Sequence, residues 1–286
     1  MTVRPRRSVL YMPGSNARAL EKARTLAADA LILDLEDAVA PDAKELARRQ
    51  VTDAVRARGF GKREVIIRIN ALSAQWGADD LKAAAAAGPD AILVPKVSRA
   101  KDLADVEALL GAAKVAVWAM VETPLAILNI AEIASAGGRL SCLVMGTNDL
   151  IKEFRGVHTP DRVNLSAALG LSVAAARACG LIAIDGVYND INDTDGFYSV
   201  CKQGRAFGFD GKTLIHPSQV DACNQVFAPS VEEIEAARKI IAAFEKPENK
   251  GKGAISLDGR MVELLHAEIA RQTVALADAI AALEAA

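Results

Sequence analysis

Short apolar runs alternate with segments whose apolar residues recur at helical spacing, almost without interruption along the chain. Parallel strands buried on both faces are apolar along their length. Apolar positions three or four residues apart, with charges between them, are typical of helices packed on such a sheet. The pattern predicts helices over segments such as 16–28, 41–57 and 98–110, and eight strands near residues 8–12, 31–36, 65–70, 91–95, 115–121, 142–146, 181–185 and 211–216.

Eight alternations of strand and helix favour an α/β fold in which a parallel sheet closes into a (β/α)8 TIM barrel. An open, doubly wound sheet is the alternative architecture. That fold more often carries a glycine-rich dinucleotide-binding turn after its first strand. Here the turn at residues 11–16 contains a single glycine, Gly14. We therefore expect the closed barrel.

The pattern changes near residue 245. One more helix is predicted over 230–244, followed by a polar hinge rich in glycine and lysine at 246–253 and an alanine-rich helix from about residue 261. We therefore divide the chain into a catalytic barrel at 1–245 and a C-terminal hinge, lid and helix at 246–286. A mobile segment near a barrel mouth can act as a lid, although an exposed linker to a packing helix fits the same pattern.

Polar residues follow the apolar runs at the same end of nearly every predicted strand. Buried parallel strands meet solvent only at their ends, so charge repeated at one end points to a shared mouth. In a (β/α)8 barrel the active site lies at the mouth formed by the carboxyl ends of the strands. The residues at these ends are Asp34, Glu36, Asp37, Arg68, Asn70, Lys96, Glu122, Asn148, Asp149, Asp185 and His216.

Glu122 and Asp149 end consecutive strands, so we expect their carboxylates to lie side by side at this mouth. Mg²⁺ is commonly bound through one or two carboxylates while it keeps waters and substrate oxygens. Asp37 follows another strand at the same mouth, where it could hold one of the metal-bound waters. The chain has no His/Cys cluster that would suggest a softer metal. A structural role remains the alternative: Asp149 could cap the following helix, and Glu122 could pair with a helix end.

Arg68 lies inside an apolar strand run, where an arginine is costly unless it meets an anion. Its planar fork suits a substrate carboxylate or an enolate oxygen, and a structural pair with the acidic group at 34–37 competes with that role. Lys96 could form a Schiff base, but we favour an ion-pair role for it. His216 closes the eighth strand and either contacts a ligand or satisfies a hydrogen bond within its loop.

Composition narrows the class of protein. A net charge of −2 provides no field for nucleic acid or an anionic membrane, and no apolar run approaches the roughly 18 residues of a membrane span. Four well-separated cysteines argue against zinc or a disulfide framework. Without a secretory segment at the N-terminus, we expect a cytoplasmic protein. The arginines at 4, 6 and 7 are interpreted as a solvated tail, with a phosphorylated ligand as the alternative.

Seven motifs follow one another along nearly the whole chain: RSVLYMPG at 7–14, DLEDAV at 34–39, RIN at 68–70, VPK at 94–96, VET at 121–123, GKTLIHP at 211–217 and GRMVE at 259–263. In this order they resemble the citrate lyase beta-subunit-like family, which includes malyl-CoA, β-methylmalyl-CoA and citramalyl-CoA lyases. Several motifs in one order are far more specific than any single motif.

The resemblance implies that Glu122 and Asp149 bind Mg²⁺ and that Arg68 holds the α-hydroxy or α-keto acid portion of a substrate. It further implies that the C-terminal segment covers the active site of a neighbouring subunit in a homotrimer or a multiple of one. The residues implied to contact the acyl-CoA are Tyr11, Arg18, Lys22, Ile215 and His216.

Residue 263 departs from the family pattern, because lyases of the family usually place there an aspartate that serves the neighbouring subunit as acid and base. This chain has Glu263, and the longer side chain displaces the carboxylate by about one methylene, a change that can matter greatly to rate. The alternative to a catalytic role is that Glu263 is a solvated charge in the last helix.

We expect Mg²⁺-dependent carbon–carbon cleavage of a 3-hydroxyacyl-CoA, such as malyl-CoA or citramalyl-CoA, to an α-keto acid and acetyl-CoA. Arg68, Asp37 and Glu263 are the expected catalytic residues. Hydrolysis of (3S)-malyl-CoA to malate and CoA is the alternative activity. A citrate lyase beta-type subunit acting with an acyl-carrier partner is the lesser alternative.

Overall fold

The computed structural model describes residues 3–285. They form two compact units, Arg6–Phe227 and a smaller unit that combines residues 3–5 with residues 228–285. The helix at Val231–Glu245 belongs to the smaller unit. The compact units divide after Phe227, and the division into a catalytic barrel at 1–245 and a lid at 246–286 stays a prediction.

The larger unit is built on a closed barrel of eight parallel strands, in which each strand pairs with the next and the eighth pairs with the first. This confirms the predicted (β/α)8 TIM barrel, and each strand lies within a few residues of its predicted position. The strands are β1 (Ser8–Pro13), β2 (Ala30–Asp34), β3 (Glu64–Arg68), β4 (Ala91–Val94), β5 (Ala116–Val121), β6 (Leu140–Met145), β7 (Ile182–Asp185) and β8 (Gly211–Leu214).

Helices follow the strands around the barrel. The first ends earlier than the predicted 16–28, because Arg24 terminates it after two turns. The helices are α1 (Ala17–Ala23), α2 (Lys44–Ala57), α3 (Gly77–Ala87), α4 (Ala100–Leu110), α5 (Pro124–Leu128), α6 (Ile130–Ala134), α7 (Thr147–Glu153), α8 (Ser166–Ala178), α9 (Thr194–Phe207) and α10 (Val220–Phe227), with 3₁₀ turns at Pro41–Ala43, Val163–Leu165 and Pro217–Gln219.

Alternate residues along the strands belong to two different apolar clusters. One set fills the barrel interior, and the other packs outward with residues of the helices, as the two-residue period of a strand requires. Ile32, Ile66 and Met120 belong to the interior cluster. The residues two positions further along these strands, Asp34, Arg68 and Glu122, continue the interior rows toward the carboxyl-terminal mouth.

The first arginines of the unit lie at the opposite, amino-terminal end of the barrel. Arg6 pairs with Glu64, with Nη2 2.8 Å from Oε1, and its guanidinium stacks over the ring of Trp118. Arg7 forms a buried pair with Asp29, with Nη2 2.9 Å from Oδ1. The expectation of a solvated tail is therefore wrong for Arg6 and Arg7, whose charges are neutralised inside the fold.

The smaller unit contains two helices that pack on each other and a hairpin. Its elements are α11 (Val231–Glu245), a 3₁₀ turn at Pro247–Asn249, β9 (Ala254–Leu257), β10 (Arg260–Glu263) and α12 (Leu264–Glu284). Asp258 and Gly259 join the two antiparallel strands with φ of 50° and 76°, the pair of positive values that a type I′ turn requires. The expectation that the last helix begins near 261 is wrong, because residues 260–263 pair with β9. Within residues 3–285, no helix has the length and apolarity to cross a membrane.

Candidate active site

Glu122 follows β5 and is fully buried at the carboxyl-terminal mouth. Its Oε1 accepts a hydrogen bond of 2.7 Å from the backbone N–H of Lys96, whereas its Oε2 is buried and has no hydrogen-bond partner. Burial raises the pKa of Glu122, although the nearby Lys96 ammonium opposes the rise. Gly146 makes room for this side chain, because a Cβ there would lie 2.6 Å from Oε2.

Lys96 lies between Glu122 and Asp149, the two acidic residues that the sequence analysis expected to lie side by side. Its ammonium lies 2.8 Å from Asp149 Oδ1 and 3.4 Å from Glu122 Oε1. A φ of 57° at Lys96 turns the chain after β4. Asp149 lies in the first turn of α7 and is one-quarter exposed, but its side chain does not cap that helix. The two carboxylates therefore share one cation, and the capping alternative for Asp149 is wrong.

Arg68 ends β3 in a buried, bidentate pair with Asp34. Its Nε and Nη2 each lie 2.7 Å from one oxygen of that carboxylate. The Asp34 oxygens also accept the backbone N–H groups of Glu36 and Ala38. The pKa of Asp34 is lowered, because Arg68 and these hydrogen bonds outweigh the effect of burial. The predicted structural partner of Arg68 is thus present, and it engages one edge of the guanidinium.

The remaining guanidinium nitrogen of Arg68 faces two more carboxylates. Nη1 lies 2.9 Å from Glu36 Oε2 and donates a hydrogen bond of 3.2 Å to Asp37 Oδ2. The contact to Glu36 is an ion pair without hydrogen-bond alignment, so Glu36 Oε2 is buried without a hydrogen-bond partner. Burial raises the pKa of Glu36 from 4.5 to about 8, against the opposing effect of Arg68. Asp37 is more exposed, with 64% of its side chain accessible.

Tyr11 lies on the interior face of β1 and completes this group. The Arg68 guanidinium carbon is 4.7 Å from the centroid of the Tyr11 ring, a cation–π arrangement that favours the charged arginine. Burial raises the pKa of Tyr11 above its usual value. The phenol is therefore neutral at ordinary pH and can serve as a hydrogen-bond donor or as apolar surface.

A buried lysine that the sequence analysis did not select supports the loop after β2. Lys44 Nζ, from the first turn of α2, donates hydrogen bonds to Leu35 O (2.9 Å), Glu36 O (2.7 Å) and Asn70 Oδ1 (2.8 Å). Asn70 in turn donates to Asp80. The signal in the sequence is weak, because a lysine at the start of an amphipathic helix is ordinarily solvated.

Asp185 does not belong to this group, although it too ends a strand. Ile184 faces the barrel interior, so the next residue points outward by strand alternation. Asp185 is fully buried and pairs with Arg162 (Nη1 to Oδ1, 2.8 Å) and with Lys212 (Nζ to Oδ2, 3.1 Å). Its charge is structural, and the expectation of one shared mouth for every strand-end charge is wrong here.

Apart from Tyr11 on β1, the residues expected to contact an acyl-CoA lie on α1 and at the end of β8. Arg18 and Lys22 are exposed and one helical turn apart on α1. Ile215 is 41% exposed. His216 is exposed, and its Nδ1 accepts the backbone N–H of Ser218 at 3.2 Å, which caps the 3₁₀ turn after β8. This is the loop hydrogen bond that the sequence analysis offered for His216.

Glu263 lies in the smaller unit, at the end of β10 and directly before α12. Its side chain is exposed, and its backbone N–H donates to Nδ1 of His266 at 3.0 Å. The structure therefore places this carboxylate at a strand–helix junction rather than within a solvated helix. Its proposed role toward a neighbouring subunit stays a prediction.

The donors at Glu122 and Asp149 suit Mg²⁺. The orphaned, buried Glu122 Oε2 needs a positive partner, and Gly146 leaves open the space beside it. No group of three or more His, Cys, Asp or Glu residues within 3–285 would form an all-protein metal site. Two carboxylates, with the remaining positions left to water and substrate, are the usual arrangement for Mg²⁺.

Comparisons with known proteins found several similar chains. A family model described as HpcH/HpaI aldolase/citrate lyase matches residues 7–217. A (3S)-malyl-CoA thioesterase of Cereibacter sphaeroides (strain KD131 / KCTC 12085) is 54% identical over 281 residues, 98% of each chain. The citrate lyase subunit beta of Escherichia coli (strain K12) is 37% identical over 269 residues, 91% of this chain and 89% of that one.

Solved structures include similar chains. The protein CitE from Mycobacterium tuberculosis, in complex with magnesium, acetoacetate and coenzyme A, is similar with a TM-score of 0.78 and 30% identity. The similarity covers 96% of this chain and 99% of that one. RipC from Yersinia pestis is similar with a TM-score of 0.70 and 28% identity, over 82% of this chain and 100% of that one.

Proposed function

We propose that this chain, which belongs to the HpcH/HpaI aldolase/citrate lyase family, is a Mg²⁺-dependent thioesterase that hydrolyses (3S)-malyl-CoA to malate and CoA. The observation that carries the proposal is 54% identity, over 98% of both chains, with a (3S)-malyl-CoA thioesterase. The chain is an enzyme of the citrate lyase beta superfamily. Within that class the alternative activity is better supported than the carbon–carbon lyase activity that we expected first.

The mouth of the barrel has the charges that a malyl-CoA substrate needs. Mg²⁺ held by Glu122 and Asp149 would supply a Lewis acid for the oxygens of the hydroxy-acid end. Arg68, neutralised along one edge by Asp34, directs Nη1 toward the same mouth. A guanidinium nitrogen there is suited to bind a carboxylate or a developing oxyanion.

The CoA portion would lie across α1 and the loop after β8. Arg18 and Lys22 present two exposed cations on one helix face, which suits the phosphates of CoA. The exposed side chains of Ile215 and His216 offer an apolar and a polar surface nearby in the barrel order, since β8 pairs with β1. Tyr11 would adjoin the acyl end, because it stacks under Arg68.

Carbon–carbon cleavage is the second candidate activity. It is favoured by one observation, the carboxylate that the chain keeps at position 263, exposed at the end of β10. In that reaction Glu263 of one subunit would exchange a proton with the acetyl-CoA carbon at the mouth of another. A citrate lyase beta-type subunit with an acyl-carrier partner is the third candidate, on the 37% identity to such a subunit.

We infer that the chain assembles with copies of itself as a homotrimer or a multiple of one, and that it works in the cytoplasm. Met261, Leu264, Leu265 and Ile269 of the smaller unit are each at least half exposed. Met261 lies on the hairpin and Leu264 begins α12, while Leu265 and Ile269 are one turn apart on one side of that helix. Contiguous exposed apolar side chains mark interaction surfaces.

Product analysis with purified protein and (3S)-malyl-CoA tests the proposal, with Mg²⁺ and with chelator. We expect free malate and the CoA thiol, abolished by chelator. Glu122→Gln should lower the rate by about 100-fold or more, and Mg²⁺ titration calorimetry should show weakened binding. Glyoxylate and acetyl-CoA in place of malate would contradict the proposal and establish the lyase.

A further inference from the structure

We propose that Glu36 accepts the proton of the water that attacks the thioester carbonyl, an inference that rests on the proposed thioesterase activity. Glu36 follows β2 at the carboxyl-terminal mouth, beside Arg68. The sequence analysis gave Glu263 as the acid and base, and Asp37 as a catalytic residue that holds metal-bound water. The contacts of the carboxylates around Arg68 single out a different one.

Asp34 is unsuited to accept a proton, because both of its oxygens are already engaged. Oδ1 accepts hydrogen bonds from Arg68 Nε and from Glu36 N, at 2.7 and 2.9 Å. Oδ2 accepts from Arg68 Nη2 and from Ala38 N, at 2.7 and 3.0 Å. A carboxylate with this many donors is a weak base. Its role is to hold Arg68.

Asp37 is unsuited for a different reason. Its side chain is 64% exposed, and its Oδ2 accepts a hydrogen bond from Arg68. This oxygen is already engaged by the Arg68 guanidinium, and most of the side chain is open to solvent. Glu122, a further buried carboxyl of this mouth, has an oxygen without a hydrogen-bond partner that suits Mg²⁺.

Glu36 has the properties that the other carboxylates lack. Only 11% of its side chain is exposed, and Oε2 is buried without a hydrogen-bond donor aligned on it. Burial makes the charged form unfavourable, so the pKa rises to about 8. A general base works best when its pKa lies near the working pH. An oxygen on which no hydrogen-bond donor is aligned has a lone pair that can take up a proton.

The chain holds the backbone of Glu36 in place from both sides. The Glu36 N–H donates to Asp34 Oδ1, and the Glu36 carbonyl accepts from Lys44 Nζ. Proton transfer depends on such fixed geometry. The charged and titratable groups that act on Glu36 come from five strands and one helix: Tyr11, Asp34, Asp37, Lys44, Arg68, Lys96 and Glu122.

The step balances without an oxidant or a further reactant. The water oxygen forms a bond to the thioester carbon while one water proton passes to Glu36 Oε2. Arg68 Nη1 lies 2.9 Å from Glu36 Oε2 and is placed to stabilise the oxyanion that forms on the thioester carbonyl. The carbon–sulfur bond then breaks, and the proton on Glu36 passes to the CoA sulfur. Malate and the CoA thiol leave, and the Glu36 carboxylate is restored.

Glu36→Gln, Glu36→Asp and Glu64→Gln provide the test, each assayed for malate release across pH 5 to 9. Glu64→Gln is the matched control, because Glu64 is also a buried glutamate paired with an arginine but lies at the opposite end of the barrel. We expect Glu36→Gln to lower kcat by about 100-fold or more and to abolish the acid limb of the pH profile. Glu36→Asp should recover part of the rate, and Glu64→Gln should keep the wild-type rate.

Binding of a thioether analogue of malyl-CoA, which cannot be hydrolysed, separates proton transfer from substrate binding. We expect Glu36→Gln to bind it as tightly as the wild type does. A Glu36→Gln variant that hydrolyses malyl-CoA at the wild-type rate, or that loses analogue binding in proportion to kcat, would overturn the assignment. Wild-type protein that forms glyoxylate rather than malate would instead overturn the proposed function, and this assignment with it.

Discussion

The buried charge of Arg68, at the end of an apolar strand, is stabilised by a few individual side chains. Its guanidinium is almost fully buried, paired along one edge with Asp34 and stacked on Tyr11. Removing one partner from a buried ion pair typically costs about 3–5 kcal/mol, because the other charge is left uncompensated. Asp34 therefore stabilises the position of Arg68, which leaves Nη1 for Glu36, Asp37 and a substrate.

Glu36 gives a prediction for stability against pH. Its pKa is about 8 in the folded protein and near 4.5 when solvated, so the folded state binds the proton more tightly. Stability from this residue is complete below about pH 4.5 and is lost as pH rises toward 8, by up to about 1.4 kcal/mol per pH unit.

Glu36→Gln cannot lose a proton and should therefore be more stable than the wild type by a margin that grows from pH 5 to pH 8. Urea unfolding in the presence of chelator at four pH values measures that margin. Glu64→Gln serves again as the control. A margin that is constant across this range would show that Glu36 does not titrate there.

At the scale of elements, the loop after β2 depends on a helix that follows it. Lys44 of α2 donates to Leu35 O, Glu36 O and Asn70 Oδ1, so one side chain fixes the ends of two neighbouring strands. A structural lysine of this kind has three donors and three partners, which satisfies its charge without a carboxylate.

Lys44→Met should lower the free energy of unfolding by about 3 kcal/mol, because buried acceptors lose their donor at about 1–3 kcal/mol each. Urea unfolding at neutral pH provides the measurement. Lys101→Met is the matched control, since Lys101 is exposed and pairs with the exposed Asp105 one turn away; its effect should stay below about 0.5 kcal/mol. Equal effects of the two substitutions would contradict the assigned role of Lys44.

At the scale of the whole molecule, the chain divides into the barrel unit and a smaller unit with an exposed apolar face. The barrel has its own interior and outer clusters. Among the described residues of the smaller unit, a small cluster forms around Ala243, Ile255 and Val262. An exposed apolar face on a unit with so small a core favours burial against a second copy of the chain.

Leu265→Glu combined with Met261→Glu should therefore dissociate the assembly, because each places a charge on a surface that we propose is buried between copies. Size-exclusion chromatography with light scattering measures the mass. Leu128→Glu is the control, since Leu128 is 82% exposed but belongs to the barrel unit. Wild-type protein that is monomeric at high concentration, or a double variant that stays assembled, would contradict the proposal.

The sequence by itself determined the order of the elements and most of the barrel. Apolar period and length fixed the eight strands, because each pattern is local. The sequence also predicted that Glu122 and Asp149 lie side by side, because consecutive parallel strands end at the same edge of the sheet. The hairpin at 254–263 was missed, although Asp258–Gly259 carried its turn signal.

Only the tertiary structure decided which strand-end charges share the mouth. Asp185 points outward to Arg162 and Lys212, whereas Glu36 forms an ion pair with Arg68 through a buried oxygen that has no hydrogen-bond partner. The reason is physical: a carboxylate's pKa and role depend on its burial and on partners distant in the chain. A local sequence pattern shows neither the burial of a side chain nor its partners from distant parts of the chain.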